Sequence, residues 1–190
     1  FLSFERDWRA KFSHLQTVGR ELRLRGEMVL DDNLKIKVSG QIDRIDAVVN
    51  EANEYAIIDY KSSGWQLHNH GSWLANDELQ LAFYAIAISE GLTELKKGPV
   101  VGAFYYTLSN MNRERGYRLR DHENKLFEPN TKNRSQLSQE ELFTLLGEVK
   151  TKIAEVVRCI QKGKMQPKPH DVKICSECHW RTLCRSPHLN

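Results

Sequence analysis

The chain has 190 residues, 40% of them hydrophobic, and a formal net charge of +3. That is one domain's worth of protein with apolar material for a single core. No apolar run reaches the roughly 18–20 residues that a membrane-spanning helix needs, so no membrane partner is expected. Four cysteines, all in the last third, are too few and too local for a disulfide scaffold; they point to a reducing, cytoplasmic setting. The first residue is Phe and the opening residues already read as helix, so a piece of a longer protein is expected.

Phe4, Trp8, Phe12 and Leu15 recur at helical spacing and predict an opening helix that ends before Gly19. "ELRLRGEMVL" and "LKIKVSG" alternate apolar and charged residues as half-buried strands do, with Asp31-Asp32-Asn33 as the turn. "QIDRIDAVV" and "YAIIDYKSS" read as two further strands around the polar loop "NEANE". Gly64 to Asn76 is polar and aperiodic, a loop over whatever the strands present. "NDELQLAFYAIAISEGL" is a largely buried helix, capped by Asn76 or Asp77 and closed by Gly91. "VVGAFYYTLS" is a strand with "ERGYRLR" as its antiparallel neighbour, and "HENKLFEPNTKNRSQ" is loop. Ser138 and Glu141 form a capping box that opens an amphipathic helix through Leu142, Leu145, Val149, Ile153, Val156 and Ile160. Past Lys164 there is little periodicity.

The two strands of "GQIDRIDAVVNEANEYAIIDYKSS" carry Asp43, Asp46, Asp59 and Lys61 amid apolar residues. Charges taken out of water cost several kcal/mol unless something pairs with them. An antiparallel pairing that sets Val49 opposite Tyr55 puts Asp43 opposite Lys61 and diagonal to Asp59, all on one face. Two carboxylates and an ammonium there suit metal-assisted phosphodiester cleavage: Mg²⁺ takes oxygen ligands, and a lysine can orient water and stabilise the developing anion. The bland alternative is a surface hairpin with one cross-strand ion pair. Basic clusters at Arg20, Arg23 and Arg25, and at Arg113, Arg115, Arg118 and Arg120, suit a phosphate backbone.

"GQIDRID", the sixteen residues from Asp43 to Asp59 in "AIIDYKSS", and "ELQLAFYAIA" together resemble the PD-(D/E)XK nuclease superfamily. Within it, the pattern is similar to the RecB/AddB-type exonuclease domain, from about Glu21 to Arg185. The resemblance implies an α/β restriction-endonuclease-like core, a mixed sheet flanked by helices, as a single nuclease domain over residues 1–190. It implies a DNA exonuclease of recombination and double-strand-break repair, partnered by a helicase domain or subunit. By resemblance, Asp43 and Asp59 bind Mg²⁺ or Mn²⁺, the Tyr60 carbonyl adds a ligand, Lys61 assists the water, and Gln80 and Tyr84 face the site and position DNA. Glu21 stands where an acidic residue often precedes the first Asp. The family usually has an upstream metal-binding His; His14 is too close to Asp43, and no His is assigned.

"CSECHWRTLC" spaces Cys175, Cys178 and Cys184 as C-x2-C-x5-C in a tail (165–190) without a core of its own, which argues for a metal centre. For Zn²⁺ a second close pair is expected, and His179 or His188 supplies only part of one. The resemblance implies a [4Fe–4S] cluster held by these three and by a further cysteine upstream of Phe1; Cys159 reads as a packed small hydrophobe. Two alternatives stand beside the helicase-linked nuclease: a stand-alone CRISPR-associated RecB-like nuclease, and a non-catalytic DNA-binding module with a relic site.

Overall fold

Phe4, Trp8 and Phe12 put an aromatic stripe on the first helix, α1 (Leu2–Lys11), and the Trp8 and Phe12 rings meet at 4.2 Å. The computed structural model describes residues 2–49, 51, 53–64, 67–122, 136–164, 169 and 172–184. Leu15, expected in this helix, instead begins β1: the Leu15 N–H closes a turn onto the Phe12 carbonyl at 2.9 Å, and Leu15 then pairs with Val48.

β1 (Leu15–Asp31) and β2 (Leu34–Val48) form one long antiparallel hairpin. "LKIKVSG" and "QIDRID" are therefore one strand, not two. Gly40 does not break it; it pairs with Leu24, and a Cβ there would meet that side chain at 3.6 Å, an ordinary contact. β3 (Tyr55–Lys61) pairs antiparallel with β2, and β4 (Val100–Thr107) pairs parallel with β3. β5 (Asn112–Leu119) is antiparallel to β4, as expected for "ERGYRLR". Gln136–Leu137 adds a short parallel strand, β6, beside β5, although Gln136 was expected as the end of a loop. The rest of that loop, 123–135, lies outside the described residues.

The result is a mixed six-stranded sheet in the order β1-β2-β3-β4-β5-β6, the restriction-endonuclease-like α/β core that the sequence implies. Every residue of β4 is buried, which fits a parallel strand covered on both faces. α1 lies on one face, where Phe4 stacks on Tyr106 at 5.7 Å. On the other lies α2 (Gln80–Glu90), the crossover between β3 and β4, with Leu81, Ala82 and Tyr84 through Ile88 buried. Gly91 ends α2 at φ 78°, a conformation that favours glycine. Neither Asn76 nor Asp77 caps its start: Leu79 precedes the helix without a side-chain cap, and Asp77 is left-handed at φ 52°. Of the expected loop before it, residues 65 and 66 lie outside the described residues, and His70–Ser72 and Leu74–Asn76 are two short helical turns around a fully buried Trp73.

α3 (Gln139–Gln161) opens on the expected capping box: the Ser138 N–H donates to Glu141 Oε2 at 2.6 Å, and the Glu141 N–H to Ser138 Oγ at 3.1 Å. Lys152 of α3 pairs with Asp77 at 3.0 Å and Lys150 with Glu90. By compactness the chain divides into Phe1–Lys152 and Ile153–Asn190. The second unit takes the end of α3 and a helical turn, Val172–Ser176, that carries the buried Cys175. Among the described residues, no helix is long and apolar enough to cross a membrane.

Candidate active site

The β2–β3 register is Ala47 opposite Tyr55 and Arg44 opposite Ile58. This is two residues from the expected Val49–Tyr55 pairing, so the position opposite Asp43 is that of Asp59, not Lys61. The β2–β3 connection closes with the Val48 N–H on the Glu54 carbonyl at 2.9 Å, while the Val49 N–H turns to the β1 side and the His14 carbonyl at 2.7 Å. A slip of two preserves side-chain parity, and Asp43, Asp59 and Lys61 still share one face. There Asp43 Oδ2 accepts the Tyr60 N–H at 2.8 Å.

Asp59 is 2% exposed. Lys61 Nζ lies 2.7 Å from Asp59 Oδ2, but that oxygen has no directed hydrogen bond. Burial pushes the Asp59 carboxyl above its ordinary range and the nearby Asp43 adds to the rise, while Lys61 opposes it. Lys61 Nζ also donates to Gln80 Oε1 at 2.8 Å, and Gln80 Nε2 donates to the Tyr84 hydroxyl at 2.9 Å. The first turn of α2 is thus tied to the strand bearing Asp59 and Lys61, and four of the expected residues, Asp59, Lys61, Gln80 and Tyr84, form one connected chain.

Further residues join this set that the sequence pattern does not single out. Tyr105 lies beside Asp59 in the parallel β3–β4 register, and Lys61 Nζ sits 5.5 Å from its ring centroid. Burial and the carboxylates of Glu78 and Asp59 push the Tyr105 phenol well above its ordinary range. Glu78 in turn accepts the His68 N–H at 3.0 Å and meets His68 Nδ1 at 2.8 Å. Glu78 was hidden in the run "NDELQ", and only the β3–β4 register discloses Tyr105.

Behind the site, on the α1 face, Arg44 is clamped by Asp46 through two hydrogen bonds of 2.8 and 2.7 Å. It also donates to Glu5 at 2.9 Å and to the Tyr60 hydroxyl at 3.3 Å, and Thr17 Oγ1 donates to Asp46 at 2.8 Å. Tyr60 is therefore held at its N–H by Asp43 and at its hydroxyl by Arg44.

Of the weaker candidates, Glu21 is exposed and falls beside Asp43, between the pairs Arg20–Arg44 and Leu22–Ile42, at a left-handed φ of 49°. In the second basic cluster Arg118 is 1% exposed and Arg120 pairs with Glu141 at 3.1 Å, so neither is an unengaged surface cation. Cys175 is buried, Cys178 and Cys184 are half-buried, and Cys159 is exposed rather than packed.

The oxygen donors of Asp43 and Asp59 fit a hard divalent cation: one is half-buried, and the other has an oxygen satisfied only by the neighbouring ammonium. No group of three or more His, Cys, Asp or Glu able to hold a metal occurs among the described residues. The three tail cysteines form no ligand group here, and this arrangement does not by itself fit an iron–sulfur cluster.

No curated protein matches the chain. Among solved structures, the crystal structure of a protein designated SSO0001 aligns over 97% of this chain at 16% identity and a TM-score of 0.42. This chain spans 66% of that protein, just under two thirds of its length. The family model of the PD-(D/E)XK nuclease superfamily matches residues 1–185. With that match added to its mixed sheet and its paired aspartates, the chain belongs to the PD-(D/E)XK nuclease superfamily.

Proposed function

We propose that this chain hydrolyses DNA phosphodiesters with Mg²⁺ or Mn²⁺, as the exonuclease module of a RecB/AddB-like helicase–nuclease acting in recombination and break repair. Members of the superfamily are generally metal-dependent nucleases, usually with these ions. The observation that carries the reading is the convergence of Asp43, Asp59, Lys61 and Gln80 at the junction of β2, β3 and α2. Asp43 and Asp59, with the Tyr60 carbonyl, would hold the metal, which when bound makes water a better nucleophile and offsets charge on the phosphate. Lys61, braced by Asp59 and Gln80, is placed to orient the attacking water and to stabilise the anion it creates. Gln80 and Tyr84 would position the strand.

The helicase-linked assignment is supported by the combined spacing of "GQIDRID", Asp59-Tyr60-Lys61 and Gln80–Tyr84. A cluster on Cys175, Cys178 and Cys184 rests on spacing alone and needs a fourth ligand. The exonuclease reading is tested on end-labelled linear DNA and covalently closed circular DNA in Mg²⁺. Labelled short products from the linear form with an intact circle are expected; equal attack on both would show an endonuclease instead.

A further inference from the structure

The β1–β2 hairpin outgrows the rest of the sheet. β3 pairs with β2 only between Arg44 and Ala47, whereas β1 and β2 stay paired out to Asp31 and Leu34. Between the Gly19–Ile45 and Val29–Lys35 pairs the ladder has no register shift, so side chains alternate strictly along β2. The even-numbered Leu22, Leu24, Met28, Leu34 and Ile42 are buried. The odd-numbered Arg23, Arg25, Lys35, Lys37, Ser39 and Gln41 are exposed.

Across the hairpin, Arg23 faces Gln41, Arg25 faces Ser39, Glu27 faces Lys37 and Val29 faces Lys35. Asp43 is the next odd residue on β2 after Gln41, so this file of side chains leads to the candidate metal site. Each two-residue step covers about 6.7 Å, which places Lys37 about 20 Å from Asp43 along the strand. No ion pair joins Arg23, Arg25, Lys35 or Lys37 to another described residue. The acidic side chains of β1 on this face are Glu27 and, beside Asp43, the exposed Glu21. A cleft of ≈ 400 Å³ lies between Arg25, Gly26, Glu27, Lys37, Val38 and Ser39.

A solvated face usually interleaves both signs of charge. Unpaired cations in single file on an exposed ribbon are instead the footprint of a phosphate backbone. The cations make one stripe, the width of one phosphate backbone, and its end is marked by the half-buried Asp43 and by Asp59, which is 2% exposed. We infer that the odd-numbered face of the β1–β2 hairpin is the track on which a single nucleic-acid strand lies, its phosphates on Arg25 and Lys37, leading to Asp43. This rests on the nuclease reading for what happens at the end of the track, but not for binding to it.

The test is fluorescence anisotropy with a labelled single-stranded oligothymidylate and a labelled duplex, in EDTA, over a range of salt. Arg25→Ala/Lys37→Ala is compared with the wild type, with the charge-preserving Arg25→Lys/Lys37→Arg, and with Lys162→Ala from elsewhere on the surface. The track predicts a loss of single-strand affinity of about tenfold and a log–log salt slope shallower by about 1.4, two contacts at about 0.7 each. The charge-preserving and Lys162 variants should bind as the wild type does. Unchanged affinity and slope, or a loss confined to the duplex, would overturn the inference. Hydrolysis by the wild type in Mg²⁺ is scored separately: turnover with unaltered variant binding sinks the track and spares the nuclease, and the reverse pattern does the opposite.

Discussion

The Lys61 ammonium stands 2.7 Å from Asp59 Oδ2, an oxygen that is buried and receives no directed hydrogen bond. A charge kept in that state is poorly satisfied, and such groups gather at functional sites. The Asp59 carboxyl is raised by burial, so the folded protein keeps a proton there that the unfolded chain has already released. Stability is therefore lost as pH rises from the ordinary carboxylate range through the raised value. Asp59→Asn should flatten that part of the profile and raise the melting temperature at neutral pH in EDTA, while abolishing cleavage. Thermal melts at several pH values check the sign; an Asp59→Asn protein less stable than wild type at neutral pH would contradict it.

Mg²⁺ should stabilise the wild type through the same pair of carboxylates. A ligand that binds only the folded state contributes about 2.7 kcal/mol at a hundredfold excess over its Kd. The melting temperature should rise with Mg²⁺ and fall back with EDTA. Asp43→Asn and Asp59→Asn should show little of this rise, and an equal shift in all three would place the metal elsewhere.

Arg44 and Asp46 are both deeply buried and hydrogen-bonded twice to each other. Asp46→Ala strands the guanidinium and should cost about 3–5 kcal/mol, whereas replacing both residues by apolar ones of similar volume should cost far less. Denaturant titration of the single and double variants measures this. Equal losses would mean that shape rather than charge compensation governs the cluster.

Tyr105→Phe removes the hydroxyl near the Glu78 carboxylate but keeps the ring beside Lys61. A loss of about 1 kcal/mol with cleavage largely retained is expected, whereas Tyr105→Leu should lower both. Matching cleavage rates in the two variants would remove the ring from any part in holding Lys61.

Parity was legible in the sequence, and register was not. The alternation in "GQIDRID" and "AIIDYKSS" is enough to place Asp43, Asp59 and Lys61 on one face, because a slip of two leaves faces unchanged. Which residue stands opposite Asp43 depended on where the connection closes, with the Val48 N–H on the Glu54 carbonyl, and the alternation of side chains does not reveal that point. Glycine misled once: Gly40 looks like the end of a strand and instead continues one, paired with Leu24. Ser138 with Glu141 and Gly91 were readable because capping is local. Tyr105 and Glu78 were not, because the parallel register of β4 against β3 is set across the α2 crossover.

The most direct test of the central claim is cleavage of end-labelled linear DNA by the wild type, Asp59→Asn and Lys61→Ala, in Mg²⁺ and in EDTA, with each variant shown to be folded. Metal-dependent cleavage by the wild type, and loss of at least about a hundredfold in both variants, is the result this account predicts. Wild-type rates in a folded Asp59→Asn or Lys61→Ala protein would contradict it.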